Sequence, residues 1–229
     1  WEKFIPTEKK IEYLNALLKV GFDTLDFGSF VSAKAIPQMA DTKLVIPKLH
    51  IDPEKTKLLA IIANVRGAEE AVMFDEITYL GFPFSVSETF QQKNTNRSIA
   101  EAIQTLDFIQ NACIQNNKTL VVYISMGFGN PYGDAYDSEE VLKFVENLEQ
   151  KGVKIVSLSD TVGVAVPTLI SKIFQQIIPA YPQIEFGAHL HSTPDQASLK
   201  IEAAYDAGCR RFDGALKGFG GCPMADNDL

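Results

Sequence analysis

The sequence predicts an α/β fold of the (β/α)8 barrel class, in which parallel strands alternate with helices. Along the chain, the apolar pattern switches repeatedly between the period of two typical of a strand and the period near 3.6 typical of a helix. Seven strand segments can be counted in 229 residues, and a complete barrel of eight strands typically takes ~250 residues. The alternative is an open doubly wound sheet, but no glycine-rich phosphate loop follows an early strand to support it.

The predicted strands are short runs rich in apolar and β-branched residues. They span residues 22–27, 58–63, 76–82, 119–125, 153–158, 184–191 and 211–216. Because the chain opens with a helical pattern, we expect the first strand of the barrel to precede Trp1. The interpretation is one barrel domain over residues 1–229, truncated at both ends.

The predicted helices span residues 11–18, 99–114, 138–150, 167–178 and 195–207. Their ends carry recognisable signals. Ser98 and Glu101 have the spacing of a capping box, and Ser138 is placed to cap the next helix, which stops at Gly152. Pro167 falls in the first turn of its helix, where its missing N–H is not needed.

Composition excludes several classes of function. The net charge of −8 and the pI near 4.9 argue against a nucleic-acid partner, whose phosphates attract basic surfaces. No apolar run is long enough for a transmembrane helix, and no signal peptide is visible. Three cysteines are too few for a disulfide framework, which is typical of a reducing compartment, so we expect a cytoplasmic protein.

Polar residues recur where the predicted strands end. In a barrel the carboxyl ends of all strands share one face, where catalytic groups gather. We therefore expect a functional site on that face, formed by Asp26, Ser125, Asp160, His189, His191 and the segment 217–222.

The histidine pair is the first strong signal in this set. His189 and His191 are two residues apart in a strand, so their side chains project from the same face and can approach one metal ion. The alternative is a pair of half-buried sheet residues hydrogen-bonded to the backbone. The third histidine, His50, lies in a lysine-containing loop and is interpreted as a surface residue.

The second strong signal is Cys222, which lies on a loop with the sequence Gly-Phe-Gly-Gly-Cys-Pro at residues 218–223. Glycines permit backbone angles closed to other residues, so the thiol can approach a bound ligand closely. Cys113 falls in a helical pattern and Cys209 beside a strand, so both are predicted to be packing residues. A histidine pair with a loop cysteine suggests metal-assisted chemistry with a thiol as acid or base.

Three segments resemble the hydroxymethylglutaryl-CoA lyases. They are Ser-Phe-Val-Ser-Ala-Lys at residues 29–34 with Ile-Pro-Gln-Met-Ala-Asp at 36–41, Ser-Asp-Thr-Val-Gly at 159–163, and the Gly-Gly-Cys-Pro loop. The resemblance runs over essentially the whole chain. The histidine pair is shared with isopropylmalate and homocitrate synthases, whereas the cysteine loop and the Phe-Val-Ser stretch separate the lyases from those relatives.

The resemblance implies a barrel that cleaves 3-hydroxy-3-methylglutaryl-CoA to acetyl-CoA and acetoacetate with Mg²⁺ or Mn²⁺, in leucine degradation. At matching positions it implies that His189 and His191 are metal ligands and that Cys222 is the catalytic thiol. Asp160 matches an active-site aspartate, and Asp26 stands where the family usually has a functional glutamate. The implied partner is an acyl-CoA substrate, and homodimerisation is left open.

The sequence departs from the family pattern in ways that keep alternatives open. The family's Arg-Asp pair is expected before Trp1 and its asparagine ligand after Leu229. Ser-Thr-Pro-Asp at residues 192–195 replaces the usual Asp-Thr-Tyr-Gly, which removes a carboxylate next to the histidine pair. A related lyase or aldolase acting on another 3-hydroxyacyl-CoA, or a non-catalytic barrel that binds an acyl-CoA, are therefore the competing interpretations.

Overall fold

The structure, a computed structural model, describes residues 3–220, and the chain divides into two compact units. Unit 1 contains the residues up to Phe82 together with Thr105–Leu120. Unit 2 contains Pro83–Gln104 and the residues from Val121 onward. Among the described residues, none of the helices is both long and apolar enough to cross a membrane.

Strands and helices alternate along the described part of the chain. The strands are β1 (Thr24–Ser29), β2 (Lys57–Ile61), β3 (Ile77–Ser85), β4 (Thr119–Ser125), β5 (Ile155–Asp160), β6 (Glu185–Leu190) and β7 (Arg211–Asp213). The helices are α1 (Thr7–Leu18), α2 (Thr42–Val45), α3 (Val65–Ala71), α4 (Glu88–Thr95), α5 (Ile99–Gln115), α6 (Ser138–Gln150), α7 (Pro167–Ala180) and α8 (Pro194–Asp206). Short 3-10 turns lie at Pro37–Met39, Ile46–Lys48 and Leu216–Gly218.

In unit 1, β1 pairs with β2 and β2 pairs with β3, in both cases in parallel. The ladder between β1 and β2 is irregular between Asp26 and Gly28. A side chain at residue 28 would bring its Cβ within 2.9 Å of Thr42 Cγ2, so a glycine lets α2 approach the strand closely. The Thr42 hydroxyl in turn accepts a hydrogen bond from the backbone N–H of Ser29 at 3.3 Å.

In unit 2, parallel pairing runs from β4 to β5, from β5 to β6 and from β6 to β7. Every residue of β5 is buried, as expected of a central strand in a parallel sheet covered on both faces. The amphipathic helices α6 and α7 turn their apolar side chains inward at helical spacing. The buried members of that set are Val141, Val145, Leu148, Ile170, Ile173, Phe174 and Ile177.

Most helix-end signals are confirmed. The Ser98 hydroxyl accepts a hydrogen bond from Glu101 N while the Glu101 carboxylate accepts one from Ser98 N, which is the reciprocal pattern of a capping box. Pro167 begins α7. The cap of α6 was predicted wrongly, because Asp137 takes that place and accepts from Glu139 N, and Ser138 is already helical.

Two strand boundaries differ from the prediction, and the difference changes where candidate site residues lie relative to the ends of the strands. The structure starts β1 at Thr24 and continues it to Ser29, so Asp26 lies inside the strand and not at its end. The irregular pairing and Gly28 allow the strand to continue past the predicted stop. At the other end, β7 stops at Asp213 and not at residue 216 as predicted, and a 3-10 turn over Leu216–Gly218 follows, with Lys217 at φ 56°. The short helices α2, α3 and α4 were not predicted.

Unit 1 contains an ion pair that is largely buried. The ammonium group of Lys10, on α1, lies 2.7 Å from the carboxylate of Asp41, and the two side chains are 15% and 7% exposed. Asp41 also accepts a hydrogen bond from the Thr7 hydroxyl at 2.7 Å. Burial alone would raise the pKa of Asp41, but the hydrogen bonds from Lys10 and Thr7 outweigh it and hold the pKa below its ordinary value.

Replacing this lysine should destabilise the protein in a pH-dependent way. Lys10→Met leaves a nearly buried carboxylate without its cation, so the free energy of unfolding at pH 7 should fall by about 1–3 kcal/mol, somewhat less than for a fully buried pair. Because the pKa of Asp41 is depressed in the folded state, its stabilising contribution is present above the unfolded pKa of ~3.9 and is lost as the pH falls below it. The difference between wild type and variant in urea unfolding should therefore shrink in acid.

The exposed pair Lys9 and Glu12 on the same helix provides the control. Lys9→Met removes an ion pair that solvent screens fully, so its unfolding curve should overlay that of the wild type. Equal destabilisation by the two variants would contradict the role assigned to the buried pair.

Candidate active site

The carboxyl ends of β5, β6 and β7 hold the polar cluster of unit 2. The parallel register aligns Ser159, His189 and Asp213 as backbone partners across the three strands. The same register aligns Ser157 and Gly187 two residues earlier, with Arg211 opposite Gly187. Since residues two apart face the same side of a sheet, Ser157, His189 and Asp213 are brought to one face.

Asp213 orients the first histidine. The Nδ1 atom of His189 lies 3.1 Å from Asp213 Oδ2, and the same oxygen accepts a hydrogen bond from the Ser157 hydroxyl at 3.2 Å. A carboxylate can only accept, so in the neutral ring the proton is on Nδ1 and the lone pair on Nε2 is left for another partner. This is the arrangement by which a carboxylate prepares a histidine to bind a metal ion.

Gly187 provides the space for this hydrogen-bond chain. A Cβ atom at this position would lie 3.0 Å from the hydroxyl oxygen of Ser157 and 3.2 Å from Cδ of Arg211. The Ser157 side chain therefore lies in the space that a side chain at residue 187 of β6 would fill. From there its hydroxyl reaches across β6 to Asp213 on β7. A larger residue at 187 would displace one of its two neighbours.

The two histidine rings are neighbours, as their spacing predicts. Their centroids are 5.5 Å apart with 46° between the planes, and Tyr123 of β4 meets the His189 ring edge-on at 5.6 Å. His189 is 39% exposed, so one side of the pair is open to a ligand. His50 is exposed, as expected. Two imidazoles at this separation could hold one divalent cation; within residues 3–220 no set of three or more His, Cys, Asp or Glu side chains forms a complete metal site.

The second histidine is kept in its neutral form. Burial is the main cause that lowers the pKa of His191, and the nearby His189 and Lys200 lower it further. Asp160 and a hydrogen bond with the Thr161 backbone act in the opposite direction but do not prevail. A neutral imidazole keeps a lone pair available for a cation at neutral pH.

Asp160 lies at the end of β5, as predicted, but its carboxylate is fully buried. One oxygen accepts from the backbone N–H of Ala165 at 3.1 Å and the other from Lys200 Nζ at 2.7 Å. The structure thus directs this carboxylate toward its own loop and toward α8. Its assignment as a catalytic residue stays a prediction.

The other predicted residues are distributed differently. Ser125 ends β4 and is buried, and its carbonyl accepts hydrogen bonds from Val86 N and the Ser85 hydroxyl. Asp26 belongs to unit 1, where its side chain is exposed. Cys222 lies outside the described residues, so its catalytic role remains a prediction.

The two remaining cysteines are buried free thiols, which confirms their assignment to packing. Burial raises the pKa of Cys113 to about 12 and that of Cys209 to about 11. Both are therefore protonated and unreactive at neutral pH.

Sequence reasoning missed Asp213, Ser157 and Lys200. Asp213 was predicted to lie inside a longer strand, and its place beside His189 depends on the pairing of β6 with β7, which the local sequence does not show. Lys200 lies between Leu199 and Ile201, and polarity alone would turn it outward. In the structure Lys200 points inward. The buried residues of α8 are Lys200 and Ala204, whereas Leu199 and Ile201 are about half exposed.

Parallel strands alternating with helices, with a histidine pair at their carboxyl ends, define a partial (β/α)8 barrel enzyme. This is the class found in a solved structure, that of an HMG-CoA lyase from Acinetobacter baumannii in complex with coenzyme A and 3-methylmalate. The TM-score is 0.90 at 30% identity, over 98% of this chain and 73% of that one. The predicted fold class is confirmed.

The HMGL-like family matches residues 2–223, so the chain belongs to that family and is a hydroxymethylglutaryl-CoA lyase-like enzyme. It is 33% identical to hydroxymethylglutaryl-CoA lyase YngG of Bacillus subtilis, over 97% of this chain and 74% of the relative. It is 31% identical to the 3-hydroxy-3-isohexenylglutaryl-CoA/hydroxy-methylglutaryl-CoA lyase of Pseudomonas aeruginosa, over 96% of this chain and 73% of that protein.

Removing the charge of Asp213 should change the tautomer of His189. In Asp213→Asn the ring loses the carboxylate that favours the proton on Nδ1, so the ¹⁵N signals of His189 should move toward the Nε2–H form. Histidine-selective NMR of the metal-free protein measures this directly. The signals of the exposed His50 provide an internal control and should stay in place. An unchanged tautomer at His189 would show that the negative charge of Asp213 does not set the tautomer of the ring.

Proposed function

We propose that the protein is a carbon–carbon lyase that cleaves 3-hydroxy-3-methylglutaryl-CoA to acetyl-CoA and acetoacetate with the help of a divalent cation. The observation that carries the proposal is the paired rings of His189 and His191, with Asp213 on the Nδ1 atom of the first, in a chain of the HMGL-like family. The relatives named as hydroxymethylglutaryl-CoA lyases support the substrate class.

The described residues fit a divalent cation in their chemistry. Two imidazole nitrogen ligands would leave most coordination positions for oxygen atoms of the substrate and water, which suits Mg²⁺ or Mn²⁺ better than a closed thiolate site would. His189 and His191 would hold the ion, and Asp213 would keep His189 in the correct tautomer. When bound, such a cation lowers the pKa of a coordinated hydroxyl group and stabilises the negative charge that develops on its oxygen.

The proposed reaction conserves every atom of the substrate. The tertiary hydroxyl group gives its proton to solvent water, its oxygen forms the carbonyl of acetoacetate, and the adjacent carbon–carbon bond breaks. The electron pair of that bond passes to the carbon next to the thioester, giving the enolate of acetyl-CoA. In our proposal Cys222 supplies the proton that this carbon takes up, since a thiol, with an ordinary pKa of about 8.5, can give or accept a proton near neutral pH. Solvent water returns a proton to the Cys222 thiolate at the end of the cycle. We also propose Asp26 and Asp160 as catalytic residues, on the basis of the family positions that they match.

A second substrate has a specific observation in its favour. Ser192 follows His191 where the family usually has an aspartate, and its hydroxyl oxygen is buried without a hydrogen-bond partner in the described part of the chain. The Pseudomonas aeruginosa relative is named for a larger 3-hydroxyacyl-CoA as well as for the methyl compound. A related lyase activity on another 3-hydroxyacyl-CoA is therefore the alternative.

The direct test is a product assay on the full chain with 3-hydroxy-3-methylglutaryl-CoA and Mn²⁺ or Mg²⁺. We expect equimolar acetyl-CoA and acetoacetate, with activity abolished by EDTA and restored by the cation. Turnover of 3-hydroxy-3-isohexenylglutaryl-CoA alone would favour the alternative substrate. Binding of either thioester by calorimetry without any product would indicate a non-catalytic acyl-CoA-binding barrel and overturn the proposal.

We further propose a cytoplasmic enzyme of leucine degradation. The support is the resemblance to lyases of that pathway, together with buried thiols at Cys113 and Cys209 that stay unpaired.

Cys222→Ser should remove the chemistry while sparing the fold and the metal site. The hydroxyl of serine is far too weak an acid to replace the thiol, so kcat should fall by about 10²–10⁴-fold, the usual contribution of a general acid or base. Steady-state kinetics gives kcat, and the melting temperature and Mn²⁺ affinity should stay at wild-type values, because a thiol is not a preferred ligand of a hard cation.

Cys113→Ser and Cys209→Ser are the matched controls and should retain kcat. Alkylation with iodoacetamide at pH 8 gives an independent readout: Cys113 and Cys209 should remain unmodified because burial raises their pKa values. Full lyase activity in Cys222→Ser would exclude the proposed role.

A further inference from the structure

Lys200 is the most deeply buried lysine among the described residues, and it occupies a central position on α8. Its side chain is 4% exposed. The ammonium group donates to Asp160 Oδ2 at 2.7 Å, to the carbonyl of Gly163 at 2.9 Å and to the carbonyl of His191 at 3.0 Å. An ammonium group has three N–H donors, so these contacts use all of them.

The three acceptors belong to separate parts of the backbone. Asp160 is the last residue of β5, Gly163 lies in the turn that follows, and His191 comes directly after β6. The other carboxylate oxygen of Asp160 accepts from Ala165 N, so the carboxylate also fixes the turn that contains Gly163. The ammonium group of Lys200 thus joins the ends of the paired strands β5 and β6, and it does so at His191, the second residue of the histidine pair.

These contacts define what Lys200 can do. With all three protons donated, the amine has no free lone pair for attack on a carbonyl and no proton directed at a ligand. The charge is tolerated in the interior because Asp160 pairs with it and two carbonyl dipoles solvate it. The remaining role is to hold the backbone in place.

We propose that Lys200 is a positioning residue for the metal site, an inference that rests on the proposed function. Lys200 holds the carbonyl of His191 against the end of β5. It thereby keeps the two imidazole rings at the spacing needed to share one cation. The lysine ammonium suits three acceptors arranged around a single nitrogen, whereas the planar fork of arginine does not.

The test uses a pair of double variants of the full chain. Lys200→Met alone leaves the Asp160 carboxylate buried without a cation and is at risk of not folding. Lys200→Met combined with Asp160→Asn removes both charges together, and Asp160→Asn alone, which keeps Lys200 on the carbonyls of Gly163 and His191, separates the effect of the lysine from that of the carboxylate. Lys10→Met combined with Asp41→Asn is the matched control, because it makes the same change in an ion pair with the same 2.7 Å separation in unit 1.

Two readouts are needed. The first is Mn²⁺ affinity by electron paramagnetic resonance, which should weaken about 10–100-fold in the Lys200 double variant, as is typical when support of a ligand is lost. It should stay at the wild-type value in the Lys10 double variant. The second is histidine-selective NMR of the metal-free proteins, in which the ring signals of His191 should shift or broaden in the Lys200 variant while those of His50 stay unchanged.

The outcomes separate this inference from the proposed function. If the wild type binds no Mn²⁺ and makes no product, the proposed function fails, and the NMR readout still decides whether Lys200 positions His191. If the Lys200 double variant keeps both the wild-type Mn²⁺ affinity and the wild-type His191 signals, Lys200 is a structural residue only. Equal loss of affinity in both double variants would likewise overturn the inference, because general destabilisation would then explain it.

Discussion

The parallel register of β5, β6 and β7 is the constraint on which the candidate site depends. Backbone hydrogen bonds place His189 opposite Asp213, and they place Gly187 between Ser157 and Arg211. A shift of one residue would turn His189 to the other face of the sheet, since side chains alternate between faces. Main-chain pairing therefore sets the face of the sheet on which the imidazole lies, and Asp213 then fixes the orientation of its ring.

The second feature that shapes the site is a buried ion pair. Lys200 and Asp160 are both removed from water, which is costly for each ion alone. Their closeness and the additional hydrogen bonds offset that cost, so the net stability that such a pair adds is small. Here the pair defines the arrangement of two strand ends, which a backbone contact from His191 N to Asp160 O at 3.4 Å also joins.

The sequence predicted the elements whose signals are local. The capping box at Ser98 and Glu101, the strand of β-branched residues at β4 and the period-2 histidine pair all depend on neighbours close in the chain, and all three are found in the structure. Features that depend on distant segments were missed. Asp213 can be recognised as part of the site only from its pairing with His189, which lies 24 residues earlier in the chain. The end of β1 was predicted two residues too early because the approach of Thr42 to Gly28 is a tertiary contact that no local pattern reveals.

The inward face of α8 has a thermodynamic consequence. Its buried residues, Lys200 and Ala204, offer little apolar surface, and the aliphatic side chains of Leu199 and Ile201 remain about half exposed. Hydrophobic attraction weakens on cooling and gives unfolding its large heat-capacity change, whereas an ionic hydrogen-bonded contact depends on temperature in a different way. The packing of α8 through Lys200 should therefore contribute little to the curvature of the free energy of unfolding with temperature. This contact should also persist in the cold, where contacts made by apolar helices weaken.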